Sequence, residues 1–199
     1  MANESRNLSE ILSRGPLRPA KLSHVVLRTA NLQPMRAWYL TALNGHVQYE
    51  DTTVCFLTYD EEHHRIGIVQ IPGVTNEEGT GPGLEHISFA YKDLGELLAN
   101  YRRLEGLGIT PYWTINHGPT ISMYYRDPDK NRVEFQYDIF ATAASANQFI
   151  ERNYRENFMG IIFEPQEMIR QYEAGMSIED IVKRPKLPTG KTAWDMHRA

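Results

Sequence analysis

Apolar positions along this chain follow two rhythms, one of period two and one of helical period, and the rhythms come in the same order twice. Residues 22–28, apolar and β-branched around Val25, Val26 and Leu27, predict a strand. Asn31 and Pro34 then open a helix, a capping residue followed by proline in the first turn. Across 35–43, Met35, Trp38, Tyr39 and Ala42 recur on one helical face, and Asn44-Gly45 stops the run. Three strand-like runs follow at 46–50, 53–59 and 65–71, closed by Pro72 and Gly73. A loop with Gly79, Gly81, Pro82 and Gly83 separates this unit from the next. The order then recurs: a strand over 84–91, an amphipathic helix over 94–107 stopped at Gly108, and strands over 110–115 and 121–125. A turn at 127–131 leads into the last strand, 132–137.

Each copy therefore reads strand, helix, strand, strand, strand. A sheet of that size with one helix is marginal alone, so the two copies are expected to pair. The predicted class is α+β: paired βαβββ units, 22–73 and 84–138, forming a cupped mixed β-sheet in one domain over 22–138. An N-terminal arm, 1–21, precedes it. Helical patterns at 144–158, 166–174 and 178–182 mark a C-terminal helical extension over 139–199. That extension could cover the cup as a lid, bury a stripe at a subunit interface, or pack on the outer face of its own sheet; the pattern does not choose.

Composition narrows the chemistry. At 199 residues the chain suits one domain with additions. Its 21 basic and 25 acidic residues form no basic block, which argues against nucleic acid as a partner. No apolar run has the length of a signal peptide or a membrane span, so no membrane partner and a cytoplasmic location are expected. One cysteine, Cys55, rules out an internal disulfide and a multi-thiolate metal site. With seven histidines present, any metal would be held by imidazole and carboxylate.

His24 and His86 stand at matching places, two residues into the first strand of each unit. In the last strand Val133, Phe135 and Tyr137 share one face, which leaves Glu134 and Gln136 on the other. A carboxylate inside such an apolar strand is costly unless paired or metal-bound. His24, His86 and Glu134 together would make a two-histidine, one-carboxylate triad with open positions, a set that suits non-haem Fe(II) and also Mn(II). Aligning 65–69 with 132–136 puts Gly67 at the fourth pseudo-symmetric corner. A vacant corner leaves room for a bidentate substrate and a small gas; a filled one would resemble a hydratase or isomerase Lewis-acid centre. A lone strand histidine is more often a core or surface residue, and a lone glutamate a solvated one. The combination is what makes the pattern specific.

These residues resemble the vicinal-oxygen-chelate (glyoxalase/extradiol dioxygenase) superfamily and, within it, the type I extradiol catechol dioxygenases of the single-domain biphenyl-2,3-diol type. The resemblance covers 22–138 and is carried by Leu22 to Leu27, by Gly83 to Phe89, and by the stretch from Tyr124 to Glu134. Ring-cleaving members carry a His-His pair after Phe56-Leu57, here His63-His64, whose second member is the acid/base. They also carry an active-site tyrosine ten residues before the carboxylate ligand, here Tyr124, and a pocket histidine upstream of it, for which His117 is the candidate. The resemblance thus implies metal ligands His24, His86 and Glu134, catalytic residues His64, Tyr124 and His117, and Fe(II) with Mn(II) as the alternative. It implies extradiol cleavage of a catechol-type aromatic diol with both atoms of O2, a role in aromatic hydrocarbon catabolism, and a homo-oligomer. Unlike many relatives, the chain has one two-unit domain and no second, non-catalytic pair of units. His63 is expected to be a solvated neighbour of His64, and His46 and His197 surface residues. Tyr112, Trp113 and Phe89 are expected either in a substrate pocket or in the core. The competing readings are a redox-silent isomerase or transferase of the same fold and a non-enzymatic small-molecule binder.

Overall fold

Residues 7–75 and 82–198 are described in the computed structural model. Gly79 and Gly81, expected in the loop between the units, lie outside the described residues. A short helix that periodicity did not predict, α1 (Leu8–Ser13), sits in the arm with no buried residue; Asn7 caps it by accepting from the Ser9 amide.

The first unit runs β1 (Val25–Thr29), α2 (Leu32–Leu43), β2 (His46–Glu50), β3 (Val54–Thr58) and β4 (Ile66–Gln70). The second repeats it as β5 (Ile87–Tyr91), α3 (Leu94–Glu105), β6 (Trp113–Asn116), β7 (Thr120–Arg126) and β8 (Arg132–Asp138). α2 buries the face its spacing announced, Met35, Tyr39 and Ala42, and ends at Asn44 in the left-handed region with φ of 49°. α3 starts on Asp93, whose side chain accepts from the Glu96 amide at 2.8 Å. β1 begins at Val25 rather than 22 because the carbonyls of Leu22 and Ser23 are taken by the Arg65 guanidinium, at 2.7 and 3.1 Å, instead of by a neighbouring strand.

Each unit makes its own mixed sheet. The first has the order β1-β4-β3-β2, with β1 and β4 parallel. The second differs from the four strands expected. A two-residue strand from the extension, β9 (Ile161–Ile162), adds to β6, and the order is β5-β8-β7-β6-β9. The registers of the two sheets match. In the first, Gly67 lies opposite Val26 on one side and Phe56 on the other. In the second, Glu134 lies opposite Ser88 and Tyr124. Gly67 and Glu134 are therefore equivalent, as are Phe56 and Tyr124.

The remaining extension is α4 (Ala143–Asn153), α5 (Pro165–Glu173), α6 (Ile178–Ile181) and a 3-10 turn at Ala193–Met196. α4 stops earlier than its pattern because the Asn157 side chain builds a turn, accepting from the amides of Met159 and Gly160 at 3.2 and 2.9 Å. One core joins all three parts. Met35, Tyr39, Ile66 and Ile68 of the first unit meet Leu97, Leu104, Val133 and Phe135 of the second, with Met168, Ile169, Ile181 and Val182 from the extension. Each such side chain fully buried contributes roughly 1.5–3 kcal/mol. The Tyr39 hydroxyl donates to Asp127 across the units at 3.0 Å, while Asp127 also holds the β7–β8 turn through the amides of Asp129 and Asn131. Among the described residues no helix is long and apolar enough to cross a membrane.

Candidate active site

Strand alternation sends Val133 and Phe135 into the core and turns Glu134 to the opposite face, where its side chain is still only 5% exposed. His86, half-buried just before β5, approaches it with Nε2 3.2 Å from Glu134 Oε2. Arg132, the first residue of β8, steadies this corner through an ion pair with Glu85, the neighbour of His86. Burial alone would raise the Glu134 pKa, but the hydrogen bond with His86 first, and then the neighbouring hydroxyls of Ser122, Ser88 and Tyr124, outweigh it and hold the carboxyl at about 2. The same hydrogen bond pushes His86 up from its ordinary value. A buried, ionised carboxylate backed by an imidazole fits a divalent cation with open positions.

Tyr124 lies beside Glu134 in the ladder, and its hydroxyl is 3.0 Å from His117 Nε2. His117 Nδ1 meets the Met159 carbonyl. Burial lowers the His117 pKa, the carbonyl partly opposing it, while burial and then the Glu134 charge keep the Tyr124 phenol protonated far above the usual range. Trp113 stacks on Tyr124 with ring centroids 4.6 Å apart and donates from Nε1 to the Met196 carbonyl at 2.9 Å. His197, expected on the surface, packs against Trp113 at 5.5 Å, because the 3-10 turn folds back onto β6. His46 is exposed, as expected.

The first unit contributes a cluster of imidazoles. His24 and His64 stack at 4.3 Å, Phe56 covers the other side of His64 at 4.7 Å, and Nδ1 of His63 lies 2.6 Å from Nδ1 of His64. Burial first, then the neighbouring His24 and His63, lowers the His64 pKa. Arg65 plays the part of Arg132 here. It bonds Asp60 through Nε and Nη2 and holds the carbonyls leading into His24, so one side chain ties the start of the His63-His64 loop to the approach to His24.

The structure thus joins His86 with Glu134, Tyr124 with His117, and His24 with His64. Among the described residues, the metal-capable group whose ligand atoms all lie within 4.8 Å of one another is His24, His63 and His64. His24 is not in one such group with His86 and Glu134. His63 is exposed, as a solvated neighbour should be, yet it belongs to this cluster. Phe89 packs on Phe135 and belongs with the core, whereas Trp113 belongs to the site. Tyr112 lies under the Arg126 guanidinium, 6.5 Å from Tyr124. Sequence reasoning missed Ser88, Ser122 and Met159; alternation along β5 and β7 could have found the two serines, since both share the Glu134 face.

Residues 21–135 match the family model described as the Glyoxalase/Bleomycin resistance protein/Dioxygenase superfamily. The chain is 39% identical over 163 residues to biphenyl-2,3-diol 1,2-dioxygenase 2 of Rhodococcus globerulus, an alignment covering 81% of this chain and 86% of that protein. It is 40% identical over 167 residues to biphenyl-2,3-diol 1,2-dioxygenase 3 of the same organism, covering 82% and 88%. A glyoxylase/bleomycin resistance protein/dioxygenase domain from Frankia sp. EAN1pec has a similar fold, with TM-score 0.51 at 22% identity, over 61% of this chain and 99% of that one.

Proposed function

Given that the chain belongs to the Glyoxalase/Bleomycin resistance protein/Dioxygenase superfamily, we propose that it is an extradiol dioxygenase that opens a catechol-type ring, of the biphenyl-2,3-diol kind, with both atoms of O2. The relatives named for that activity align with more than four-fifths of the chain. The observation that carries the reading is the inequality of two matched corners: Glu134 beside Tyr124 in one sheet, Gly67 beside Phe56 in the other. One carboxylate and one vacant corner leave space for a substrate with two oxygens, which a fourth ligand would fill.

His24, His86 and Glu134 would hold the ion, Fe(II) in this proposal, with Mn(II) suited to the same donors. When bound, the ion supplies a redox-active Lewis acid at which diol and dioxygen meet. The protein's own groups handle protons and shape. His64, kept neutral by burial and by its imidazole neighbours, takes a hydroxyl proton. With His64 donating from Nδ1 to His63, its Nε2 carries the lone pair that receives the proton. Tyr124 stays a neutral phenol and offers its oxygen to the second hydroxyl. Phe56 and Trp113, stacked on His64 and Tyr124, present apolar walls for a flat ring.

The test is to load the protein anaerobically with Fe(II), then mix it with air and either catechol or 2,3-dihydroxybiphenyl. A yellow ring-opened product with one O2 consumed per diol is the expected result. Bound metal without colour or oxygen uptake would overturn the dioxygenase reading in favour of redox-silent chemistry.

A further inference from the structure

The extension meets the candidate site at the turn Asn116-His117-Gly118, and it takes up the polar groups of that turn one after another. Asn116 Nδ2 donates to the Val182 carbonyl at 2.8 Å. His117 Nδ1 meets the Met159 carbonyl, and Arg184 Nη1 donates to the carbonyls of His117 and Asn157 at 2.9 and 3.0 Å. The Met159 carbonyl is itself built in. Asn157 bonds both sides of Gly160, accepting from its amide and donating to its carbonyl, each at 2.9 Å. Gly160 has φ of +120°, and a Cβ there would sit 2.3 Å from the Asn116 carbonyl oxygen. Arg184 is half-buried, lies over the Phe149 ring at 4.9 Å, and makes no ion pair among the described residues. Its guanidinium is committed instead to two backbone carbonyls, one in this turn and one in the extension.

A carbonyl oxygen only accepts, so the His117 nitrogen facing Met159 carries the proton. A neutral imidazole protonated at Nδ1 has its lone pair at Nε2, the atom 3.0 Å from the Tyr124 hydroxyl. Tyr124 must then donate to His117, which leaves the lone pairs of its oxygen free to accept. We infer that Met159 and Arg184 are positioning residues: they hold His117 in the Nδ1–H tautomer, so that Tyr124 accepts a hydrogen bond from a substrate hydroxyl rather than donating one. The tautomer stands on the geometry alone; its use on a diol rests on the function proposed above. A proton leaving the substrate for Tyr124 oxygen can be matched by the tyrosine proton passing to His117 Nε2, and the resulting imidazolium is stabilised at Nδ1 by the Met159 carbonyl. The C-terminal extension is on this account part of the reaction machinery, through contacts outside the pocket.

Ring-nitrogen NMR of 15N-histidine-labelled, metal-free protein tests this without any turnover. Wild type should show His117 with a protonated Nδ1 and a bare Nε2. Arg184→Met should mix the two tautomers, and Arg184→Lys should restore the wild-type signal in large part. Ile181→Val, which loosens the extension's core contact without touching His117, should lower the melting temperature and leave the signal unchanged. In the Fe(II)-loaded enzyme Arg184→Met should lower kcat by roughly 10²-fold, the low end of an acid–base contribution, with KM nearly constant. In a His117→Ala background the same change should have no further effect. A bare Nδ1 in wild type, an unaltered tautomer in Arg184→Met, or kcat losses that multiply in the double variant would each overturn the inference. Should wild type show the expected tautomer and its shift yet open no diol, the functional reading falls and the positioning stands.

Discussion

His64 and His86 carry the same side chain in opposite electrostatic settings. Burial and two imidazole neighbours press the first toward neutrality, while the Glu134 carboxylate draws a proton to the second. Replacing them should separate two kinds of failure. His64→Ala is expected to lower kcat by roughly 10²–10⁴ with metal content unchanged, the range of a lost proton-transfer group. Glu134→Ala should lose the metal itself, read as metal per chain after gel filtration. Asp60 shows a third setting. The hydrogen bond from Arg65 lowers its pKa below the ordinary 3.8, so the ionised form favours the folded state. That contribution is complete above pH 3.8 and fades as pH falls through the folded value. The melting-temperature gap between wild type and Asp60→Asn should therefore be constant near neutral pH and close below about pH 4. His86 beside Glu134, and Gly67 at the matching place in the other sheet, were legible in the sequence because a repeat gives each residue a counterpart; His24, read together with them, lies instead against His63 and His64. Met159 was not: it acts through a backbone carbonyl 42 positions from its partner, and no side-chain identity marks a carbonyl.

Among elements, the legible ones are those whose burial pattern repeats over several residues, such as α2, α3 and β8. β9 escaped because two residues have no period, and its existence depends on the free edge of β6. α4 was read too long because the residues after Asn153 keep some apolar character while their backbone is diverted by Asn157. Gly160 is the hinge of this segment, so Gly160→Ala should detach β9 from the sheet. Positive-φ strain alone costs about 1–3 kcal/mol, and the clash with Asn116 adds to it. A drop of at least roughly 5 °C in melting temperature, seen in a thermal scan, is the expected result. The two arginines that lead into β4 and open β8 are a second element-scale device. Arg65 and Arg132 each reach back to the residues just before a histidine, so each sheet sets the lead-in to its own imidazole.

At the scale of the whole molecule, the repeated order of helix and strands foretold an α+β fold, and the family match bears that out. What it left open was where the extension goes, because a helix's apolar stripe does not name its partner. α5 and α6 fill the core beside α3, while β9 and the 3-10 turn close over β6. An ion gripped between the two units would tie them further. At a concentration of about 100 times its Kd, anaerobic Fe(II) should stabilise the fold by about 2.7 kcal/mol, or roughly 5–10 °C, and Glu134→Ala should abolish the shift. The stacking of Trp113 on Tyr124 gives the molecule one more property, an optical one. Trp194 is 68% exposed and Trp113 only 8%. With iodide silencing the outer indole and Trp38→Phe removing the third one, the remaining emission from Trp113 would dim or shift as a diol settles against its tyrosine partner. The protein carries its own dye for that event, and occupancy can be followed in real time, in the absence of oxygen, before any bond is broken.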